Sequence, residues 1–444
     1  MQEVEQDAKP APVAATPSTP VNYQSAGLVA AAALALSACG GGDGSSSSPP
    51  RARTPPIPPT PIPPPPAPGP LPPAPRDSIP ATDAEAVRLV LQAQFSVSDA
   101  DITALKSGGV LAWLDARYAE PPGQTGVAWL DSRGHNAIDS EKRYRLREPG
   151  DYMVWNQLLA GPDQMRKRMA LALSELFVVS LSSLNFLHPS YLIAAYWDVL
   201  TAHAFGNFRQ LLESLTLNAA MGFFLSTKGN RRENSSGRQP DENYAREVMQ
   251  LFTIGLYQLN PDGTHKVDAD NKPLESFGQE DVMNLARVFT GYDWDQLSNG
   301  GGSTPVAWES NPVPSTHFAT NPMLFIANKH STMEVNFLGT KITGTTPARD
   351  AMHIALDRLF YHDNTGPFFA RQMIQRLVTS NPSPAYVQRV ATVFGNNGSG
   401  VRGDLKAVWT AILTDEEARA MPAAADTLVG KLREPMVRFV HWAR

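Results

Sequence analysis

The aromatic residues are distributed so unevenly that only part of this chain can build a hydrophobic core. Among the first 80 residues only Tyr23 is aromatic, while the other 36 of the 37 aromatic residues lie between 81 and 444. A core needs large apolar side chains to bury, and the first 80 residues lack them. We therefore expect a disordered N-terminal leader followed by one large domain, or two modest ones, over residues 81–444. The last segment stops at Arg444 without a helix stop signal, which is compatible with a truncated domain.

The leader contains an apolar run that ends at the single cysteine of the chain. Residues 26–38 read AGLVAAAALALSA, which is too short to span a bilayer but suits the core of a signal peptide. The following Cys39 completes the sequence LSACG, which resembles a bacterial lipobox, where the cysteine thiol is acylated before cleavage. Residues 1–39 are therefore predicted to be a signal-like segment with a lipidated Cys39. The alternative is an alanine-rich segment in a disordered tail.

A low-complexity stretch separates this segment from the domain. Eight of the nine residues at 40–48 are Gly or Ser, and 17 of the 39 prolines lie within 49–80. Such a composition predicts a linker over 40–80. Its proline-rich part favours polyproline II, which rises about 3.1 Å per residue, so roughly 30 residues could reach about 90 Å. A proline-rich ligand for the aromatic groove of a partner remains the alternative.

After residue 80 the apolar residues recur with helical spacing. Helices are predicted at 83–95, from 98 to a stop at Gly108 and Gly109, then onward through Tyr118, and at 163–179, 189–205, 207–221, 241–256, 279–290, 348–361, 365–379, 383–394, 402–414 and from 429 onward. Loops are predicted at 119–150 and 226–240, and irregular chain with a short hairpin at 292–346. No strand alternation is long enough to predict a sheet. The fold class is therefore mostly α, with many helices and irregular loops in a single domain.

Charge and missing motifs exclude several functions. The 38 basic and 43 acidic residues give a net charge of −5, so a nucleic-acid partner is not expected. One cysteine excludes a disulfide framework and a cysteine-based zinc cluster. Residues 398–403 fit G-x-G-x-x-G, but they follow a helical pattern, whereas a dinucleotide site needs a preceding strand. We interpret them as a helix-to-helix loop and predict neither a cofactor nor a metal site.

Two motifs carry a family resemblance. Residues 242–247 read ENYARE and are followed by LFTIGL, and residues 286–292 read ARVFTGY. Together they resemble the hallmark of the bacterial family known as domain of unknown function 1800, which reads N-E-N-Y-A-R-E-L and then A-R-x-L-T-G-W. The resemblance extends from about Phe95 to Arg444 and includes DADITALKSGGVLAWLDARY, RKRMALALSELFVVS, HAFGNFRQLLESLTLNAAMG, the segment from Lys329-His330 to Leu338-Gly339, and GPFFARQMIQRLV. His330 is followed by Ser331, where the family more often has Asp.

The resemblance implies a site but no established activity. Carried onto this chain, the motif singles out polar residues that a helical scaffold could bring together, namely Glu242, Asn243, Arg246, Glu247, Arg287, Thr290 and His330. Arg371 joins them because a guanidinium in an apolar helix needs a carboxylate partner. One interpretation is a buried ion-pair network in which Arg246 and Arg287 bridge to Glu247 or Glu242. The others are a ligand or catalytic pocket and a solvated surface.

Two functions follow from these observations. The first is a lipid-anchored helical binding or assembly module of the cell envelope, exported to the periplasm or the outer surface and held there by Cys39. The family resemblance implies a partner, since its members look exported and are often encoded beside the exported, sulfatase-like family 1501. The alternative is an exported hydrolase of an envelope or extracellular substrate. Its catalytic acid, base and proton carrier would be Glu242, Glu247 and His330, with Asn243, Arg246, Arg287, Thr290 and Arg371 in binding roles.

Overall fold

Helices dominate the part of the chain that the structure describes. A computed structural model describes residues 67, 69–296, 301–422 and 429–444. The helices there are α1 (Asp83–Ala93), α2 (Asp99–Tyr118), α3 (Gly126–Ser132), α4 (Glu148–Ala160), α5 (Gln164–Ser174), α6 (Pro189–His203), α7 (Phe208–Thr216), α8 (Ala219–Phe224), α9 (Asn243–Glu247), α10 (Gln279–Val288), α11 (His317–Thr320), α12 (Ala348–Phe360), α13 (Thr365–Leu377), α14 (Pro384–Gly395), α15 (Leu405–Thr414), α16 (Glu416–Arg419) and α17 (Pro435–Ala443). The predicted mostly α fold is confirmed, with about 51% of the described residues helical. Cys39 and the signal-like segment 1–39 lie outside the described residues.

Short antiparallel strand pairs complete the described architecture. The strands are β1 (Tyr292–Asp293), β2 (Ser303–Thr304), β3 (Val313–Pro314), β4 (Leu324–Phe325), β5 (Val335–Phe337) and β6 (Thr340–Ile342). They pair as β1 with β4, β2 with β3, and β5 with β6. Leu338 and Gly339 turn the β5–β6 hairpin with φ of 48° and 74°, as a tight two-residue turn requires. The hairpin predicted within 292–346 is therefore confirmed.

A local capping signal fixes the start of α2 at the position where a helix was predicted to begin. The Ser98 side chain accepts from the Asp101 amide at 3.2 Å, and Asp101 Oδ2 accepts from the Ser98 amide at 3.1 Å, which completes a capping box at the start of α2. Gly109 interrupts this helix with φ 82° and ψ 172°. The predicted stop is thus a break within α2, and the chain resumes helical geometry as far as Tyr118.

Two predicted segments differ from the structure in where helices begin. The loop predicted at 119–150 contains α3 and the beginning of α4. The carboxylate of Asp198, from α6, accepts hydrogen bonds from the amides of Gly126 and Val127 at 2.6 and 3.0 Å. Thr125 also caps this helix locally, so the contacts from Asp198 add to a cap that the loop prediction overlooked. The second difference is local, since the helix predicted at 207–221 divides at Asn218, whose side chain caps α8.

The helix predicted at 241–256 also divides. It consists of α9 and a π-helical turn, Val248–Thr253, in which Thr253 Oγ1 donates to the Val248 carbonyl at 2.5 Å. A π turn adds a residue to each turn and so shifts the side chains that follow it around the axis. Periodicity at 3.6 residues per turn could not predict this change.

The centre of the core is aromatic. Phe208 is fully buried among the rings of four other phenylalanines, with centroid distances from 4.9 to 6.3 Å, namely Phe177, Phe360, Phe369 and Phe394. The Phe208 amide donates to the Gly403 carbonyl at 2.8 Å. Gly403 closes the segment 398–403 between α14 and α15, so the predicted helix-to-helix loop is confirmed.

The end of the proline-rich stretch lies against the helical body. We call residues 69–78 the docked segment. The Gly69 carbonyl accepts from Asn396 Nδ2 at 2.9 Å, and Arg76 forms an ion pair with Glu416 at 2.8 Å. Between these contacts the prolines line a groove of about 380 Å³ along α14 and α15.

The docked segment also contacts α2. The Ser78 carbonyl accepts from the Val110 amide at 2.9 Å, and Asp77 Oδ1 accepts from the Leu111 amide at 3.2 Å. These amides follow the break at Gly109 and lack helical partners there, so the segment satisfies them. The last part of the predicted linker is therefore held on the body by specific contacts.

Candidate functional site

The first group of motif residues joins the beginnings of α9 and α10. Arg246 Nη2 lies 3.1 Å from Glu242 Oε2 and 3.0 Å from Gln279 Oε1, and Gln279 Nε2 donates to the same Glu242 oxygen at 2.7 Å. The ion-paired side chains are 39% and 31% exposed. An ion pair this exposed stabilises a fold by at most about 1 kcal/mol, so its main effect is to fix the two helix ends relative to each other.

Glu247 lies one residue further along α9 and differs from its neighbours. It is half-buried, and its Oε2 is a buried atom with no hydrogen-bond partner among the described residues. Burial raises the pKa of Glu247, although the positive charge of Arg246 opposes this shift. A carboxyl group with a raised pKa can donate or accept a proton nearer to neutral pH. Asn243, by contrast, is exposed, and its amide donates to Asp241 Oδ1 at 2.9 Å.

The second group of motif residues surrounds Thr290 at the end of α10. The Thr290 hydroxyl donates to the Arg287 carbonyl at 2.6 Å and accepts from the Ser331 amide at 2.8 Å. His330 Nδ1 lies 2.8 Å from the Thr290 carbonyl oxygen. Because a carbonyl can only accept, Nδ1 carries the proton and Nε2 is left as an acceptor. Burial lowers the pKa of His330, against the opposing effects of this hydrogen bond and of Glu233.

Sequence reasoning missed Glu233, which belongs to the same group. The Ser331 hydroxyl donates to Glu233 Oε1 at 2.7 Å, and Glu233 Oε2 is buried without a hydrogen-bond partner among the described residues. Ser331, the residue that departs from the family pattern after His330, therefore uses its hydroxyl to hold a carboxylate. Glu233 lies in a stretch of Gly, Asn, Ser and Arg residues that predicted an exposed loop, so a single sequence offered no signal for it.

Gly291 connects the second group to the start of α9. It has φ 84°, and a Cβ there would lie 3.0 Å from His330 Cβ and 3.1 Å from the Ile326 carbonyl oxygen, so only glycine fits. The Gly291 amide donates to the Asn230 carbonyl at 2.9 Å. The Asn230 side chain in turn bonds the backbone of Asp241 in both directions, at 2.8 and 3.0 Å. Both motifs thus hold the 226–240 loop.

Arg287 and Arg371 do not meet the carboxylates that the sequence suggested. Arg287 Nη1 donates to Asn284 Oδ1 at 2.7 Å, and among the described residues it forms no ion pair with Glu242 or Glu247. Arg371 is exposed, and its Nη1 lies 3.4 Å from the Gly263 carbonyl oxygen.

The arginine of α13 that faces a carboxylate is Arg376. It lies 3.5 Å from Glu175, at the end of α5, and also donates to the Glu175 carbonyl at 2.9 Å. Five positions separate Arg376 from Arg371, which places the two on different faces of the helix. The requirement for a carboxylate partner therefore applies to Arg376, because that side chain is the more buried of the two.

The motif residues thus form two groups and not one cluster of acids and bases. Glu242 and Arg246 belong to the first group, while Thr290 and His330 belong to the second. Among the residues that the structure describes, no three His, Cys, Asp or Glu side chains are arranged to hold a metal ion. Within the same residues, no helix has the length and apolar character needed to cross a membrane.

Comparison with known proteins identifies the family. The DUF1800 family, described as a protein of unknown function, matches residues 88–444. No curated protein and no solved structure matches the chain. The match covers most of the chain and includes both motifs. The chain therefore belongs to the DUF1800 family.

Proposed function

We propose that this protein is an exported, lipid-anchored binding or assembly module of the cell envelope. In this proposal Cys39 carries the lipid, the Gly/Ser/Pro-rich stretch spaces the anchor from the body, and the helical body binds a partner. The partner class is the exported, sulfatase-like family 1501. The docked segment supports the proposal because it attaches the end of the spacer to the body at defined residues.

An exposed aromatic patch carries the proposal. Two residues of α4 and two of α17 form it, and we call Tyr152, Trp155, Phe439 and Trp442 the aromatic patch. Tyr152 is 60% exposed and Trp442 is 80% exposed. The rings of Trp155 and Phe439 meet edge to face at 5.5 Å, and those of Phe439 and Trp442 lie 5.7 Å apart. Contiguous exposed apolar surface marks interaction sites, and aromatic residues dominate binding energy there.

The body holds this patch in a fixed position. Val437 and Val440, on the opposite side of α17, are fully buried. Arg444 donates to the carbonyls of Leu158 and Gly161, each at 2.6 Å, and so fastens the end of α17 to α4. A rigid aromatic surface loses little conformational entropy when a partner covers it.

A pull-down experiment tests partner binding. The chain is co-expressed with an exported family 1501 protein encoded beside it, and the complex is captured through a tag on that protein. We expect Trp442→Ser and Phe439→Ser to reduce capture at least tenfold, because a hot-spot residue contributes about 2 kcal/mol or more. Tyr257→Ser, which removes a 38% exposed ring elsewhere, is the matched control. Equal capture of all variants, or no capture of the unaltered chain, contradicts the proposal.

The anchor has its own test. Cells expressing the chain are fed a radiolabelled fatty acid, and the chain is recovered from the membrane and soluble fractions. Cys39→Ser should abolish both the label and the membrane association, while the nearby Ser37→Ala should change neither. A labelled Cys39→Ser chain would show that the lipid is attached at another residue.

A hydrolase is the second candidate, and Glu247 is the observation that favours it. Its raised pKa and its unpaired buried oxygen suit a general acid or base. Turnover of an envelope-derived substrate should fall about a hundredfold or more in Glu247→Gln. The exposed Glu280→Gln serves as the control. Unchanged turnover in Glu247→Gln excludes this role.

A further inference from the structure

A serine and a histidine within the family match, but outside its two hallmark motifs, share a hydrogen bond at the edge of a cavity. His203 is the last residue of α6, and Ser214 lies on α7. Ser214 Oγ is 3.1 Å from His203 Nε2. Both side chains are half-buried, and both line a cavity of about 550 Å³. Hydrogen-bond contact between a hydroxyl and an imidazole is the arrangement that nucleophilic catalysis requires.

The charge state of this pair suits a base. Burial lowers the pKa of His203, so the imidazole is neutral near pH 7. With Nδ1 protonated, Nε2 accepts the hydrogen bond of the Ser214 hydroxyl. A neutral imidazole in this tautomer can take the hydroxyl proton as the oxygen attacks a carbonyl.

The remaining walls of the cavity define what could bind. Val199, Leu217 and Pro322 provide apolar surface. Gln210 lies one helical turn before Ser214 on α7, lines the same cavity, and presents an exposed side-chain amide as a donor. Such an amide can stabilise an oxyanion when it lies near the reacting carbonyl.

Glu213 adds a fixed negative charge to the cavity. Burial acts to raise the pKa of Glu213, but hydrogen bonds from Arg209 at 2.9 Å and His353 at 3.0 Å outweigh it, and the net shift is downward. The carboxylate therefore stays ionised near neutral pH and disfavours an anionic substrate.

We propose that Ser214 and His203 form a nucleophile and general-base pair that hydrolyses an uncharged or cationic ester bound in this cavity. Ser214 Oγ adds to the ester carbonyl carbon while its proton passes to His203 Nε2. The imidazolium returns that proton to the leaving alkoxide as the carbon–oxygen bond breaks, which leaves an acyl group on Ser214. Water then attacks the acyl carbon, His203 takes a water proton, and Ser214 Oγ departs with that proton as the acid is released. The site is separate from Glu247 and His330.

The experiment uses the full chain, a fluorophosphonate probe and p-nitrophenyl butyrate. Fluorophosphonates react covalently with serine nucleophiles that a base activates. We expect mass spectrometry to locate the label on Ser214, and both labelling and ester hydrolysis to fall about a hundredfold or more in Ser214→Ala and His203→Gln. Ser174→Ala is the matched control, since that serine is also half-buried on a helix but donates to the Leu171 carbonyl at 2.7 Å.

A thiol variant keeps the test independent of the probe and of folding. In Ser214→Cys, alkylation by iodoacetamide at position 214 should be about tenfold faster than at position 174 in Ser174→Cys, and His203→Gln should remove the difference. Circular dichroism verifies that each variant is folded. Failure to label Ser214, or labelling and alkylation that persist without His203, overturns the proposal.

Discussion

Replacing Thr290 by valine tests the structural role of the second family motif. Valine has nearly the same shape but lacks the hydroxyl that accepts from the Ser331 amide at 2.8 Å and donates to the Arg287 carbonyl at 2.6 Å. Thr290 is fully buried and Ser331 is 6% exposed, so water cannot replace the hydroxyl. An unpaired buried amide costs about 1–3 kcal/mol, and the lost donation adds about 1 kcal/mol. We expect Thr290→Val to lower the free energy of unfolding by about 2–4 kcal/mol.

The Ser331 amide reports the effect directly. A loss of 2–4 kcal/mol corresponds to roughly 30- to 700-fold faster hydrogen exchange if the segment opens locally. Exchange measured by mass spectrometry on peptides covering 326–334, together with urea unfolding, separates local opening from global loss. Thr290→Ser keeps the hydroxyl and should lose only about 1 kcal/mol for its methyl group. Thr392→Val, whose exposed hydroxyl donates to a helical carbonyl, should change stability by under about 0.5 kcal/mol. Unaltered exchange in Thr290→Val would show that the Thr290 hydroxyl does not stabilise this segment.

Three further predictions concern pH, glycine geometry and the docked segment. Burial lowers the pKa of His188 to about 4, so protonation favours the unfolded chain, and stability present above pH 6.5 is lost as the pH falls toward 4. By pH 5 the loss of folding stability is about 2 kcal/mol. The difference between the urea midpoints at pH 7 and pH 5 should therefore be smaller in His188→Gln than in the unaltered chain. Gly291→Ala should destabilise the folded chain more than Gly398→Ala. Both glycines have positive φ, but of the two only Gly291 has atoms within 4 Å of the added Cβ. Equal decreases in the thermal unfolding temperature of the two variants would show that this contact is irrelevant. Breaking the exposed pair of Arg76 with Glu416 by Arg76→Ala should raise hydrogen exchange at 76–78 about fivefold without moving the urea midpoint, and a shifted midpoint would contradict this local role.

The features of the fold that could be predicted are those determined by residues close together in the sequence. The capping box at Ser98 and the break at Gly109 follow from side chains within three residues or from the backbone freedom of glycine. Helix α3 was missed although Thr125 caps it locally, because its remaining amide contacts come from Asp198 on another helix. The π turn at Val248–Thr253 was missed because a hydrophobic pattern with a period of 3.6 residues does not indicate a turn that holds an extra residue.

The structure brings some of the motif residues into contact, in an arrangement that the sequence did not indicate. Glu242 pairs with Arg246, since four positions on a helix bring two side chains together. Thr290 also contacts His330, but the two residues lie 40 positions apart in sequence, so only the fold brings them together. Nothing in a single sequence connects His203 to Ser214, because the pair depends on how the 204–207 turn returns α7 along α6.

The docked segment also determines how the body responds to tension. A pull from the N-terminal side loads the Gly69–Asn396 hydrogen bond first and then the ion pair of Arg76. Only afterwards does it load the hydrogen bond between Asp77 and α2. Contacts arranged in this order are loaded one at a time, so the chain peels from the groove without sharing the force among them. Release from Gly69 to Arg76 lengthens the free chain by about 20 Å at 3.1 Å per residue. Under such a pull the chain would lengthen in defined steps before its helices bear any load.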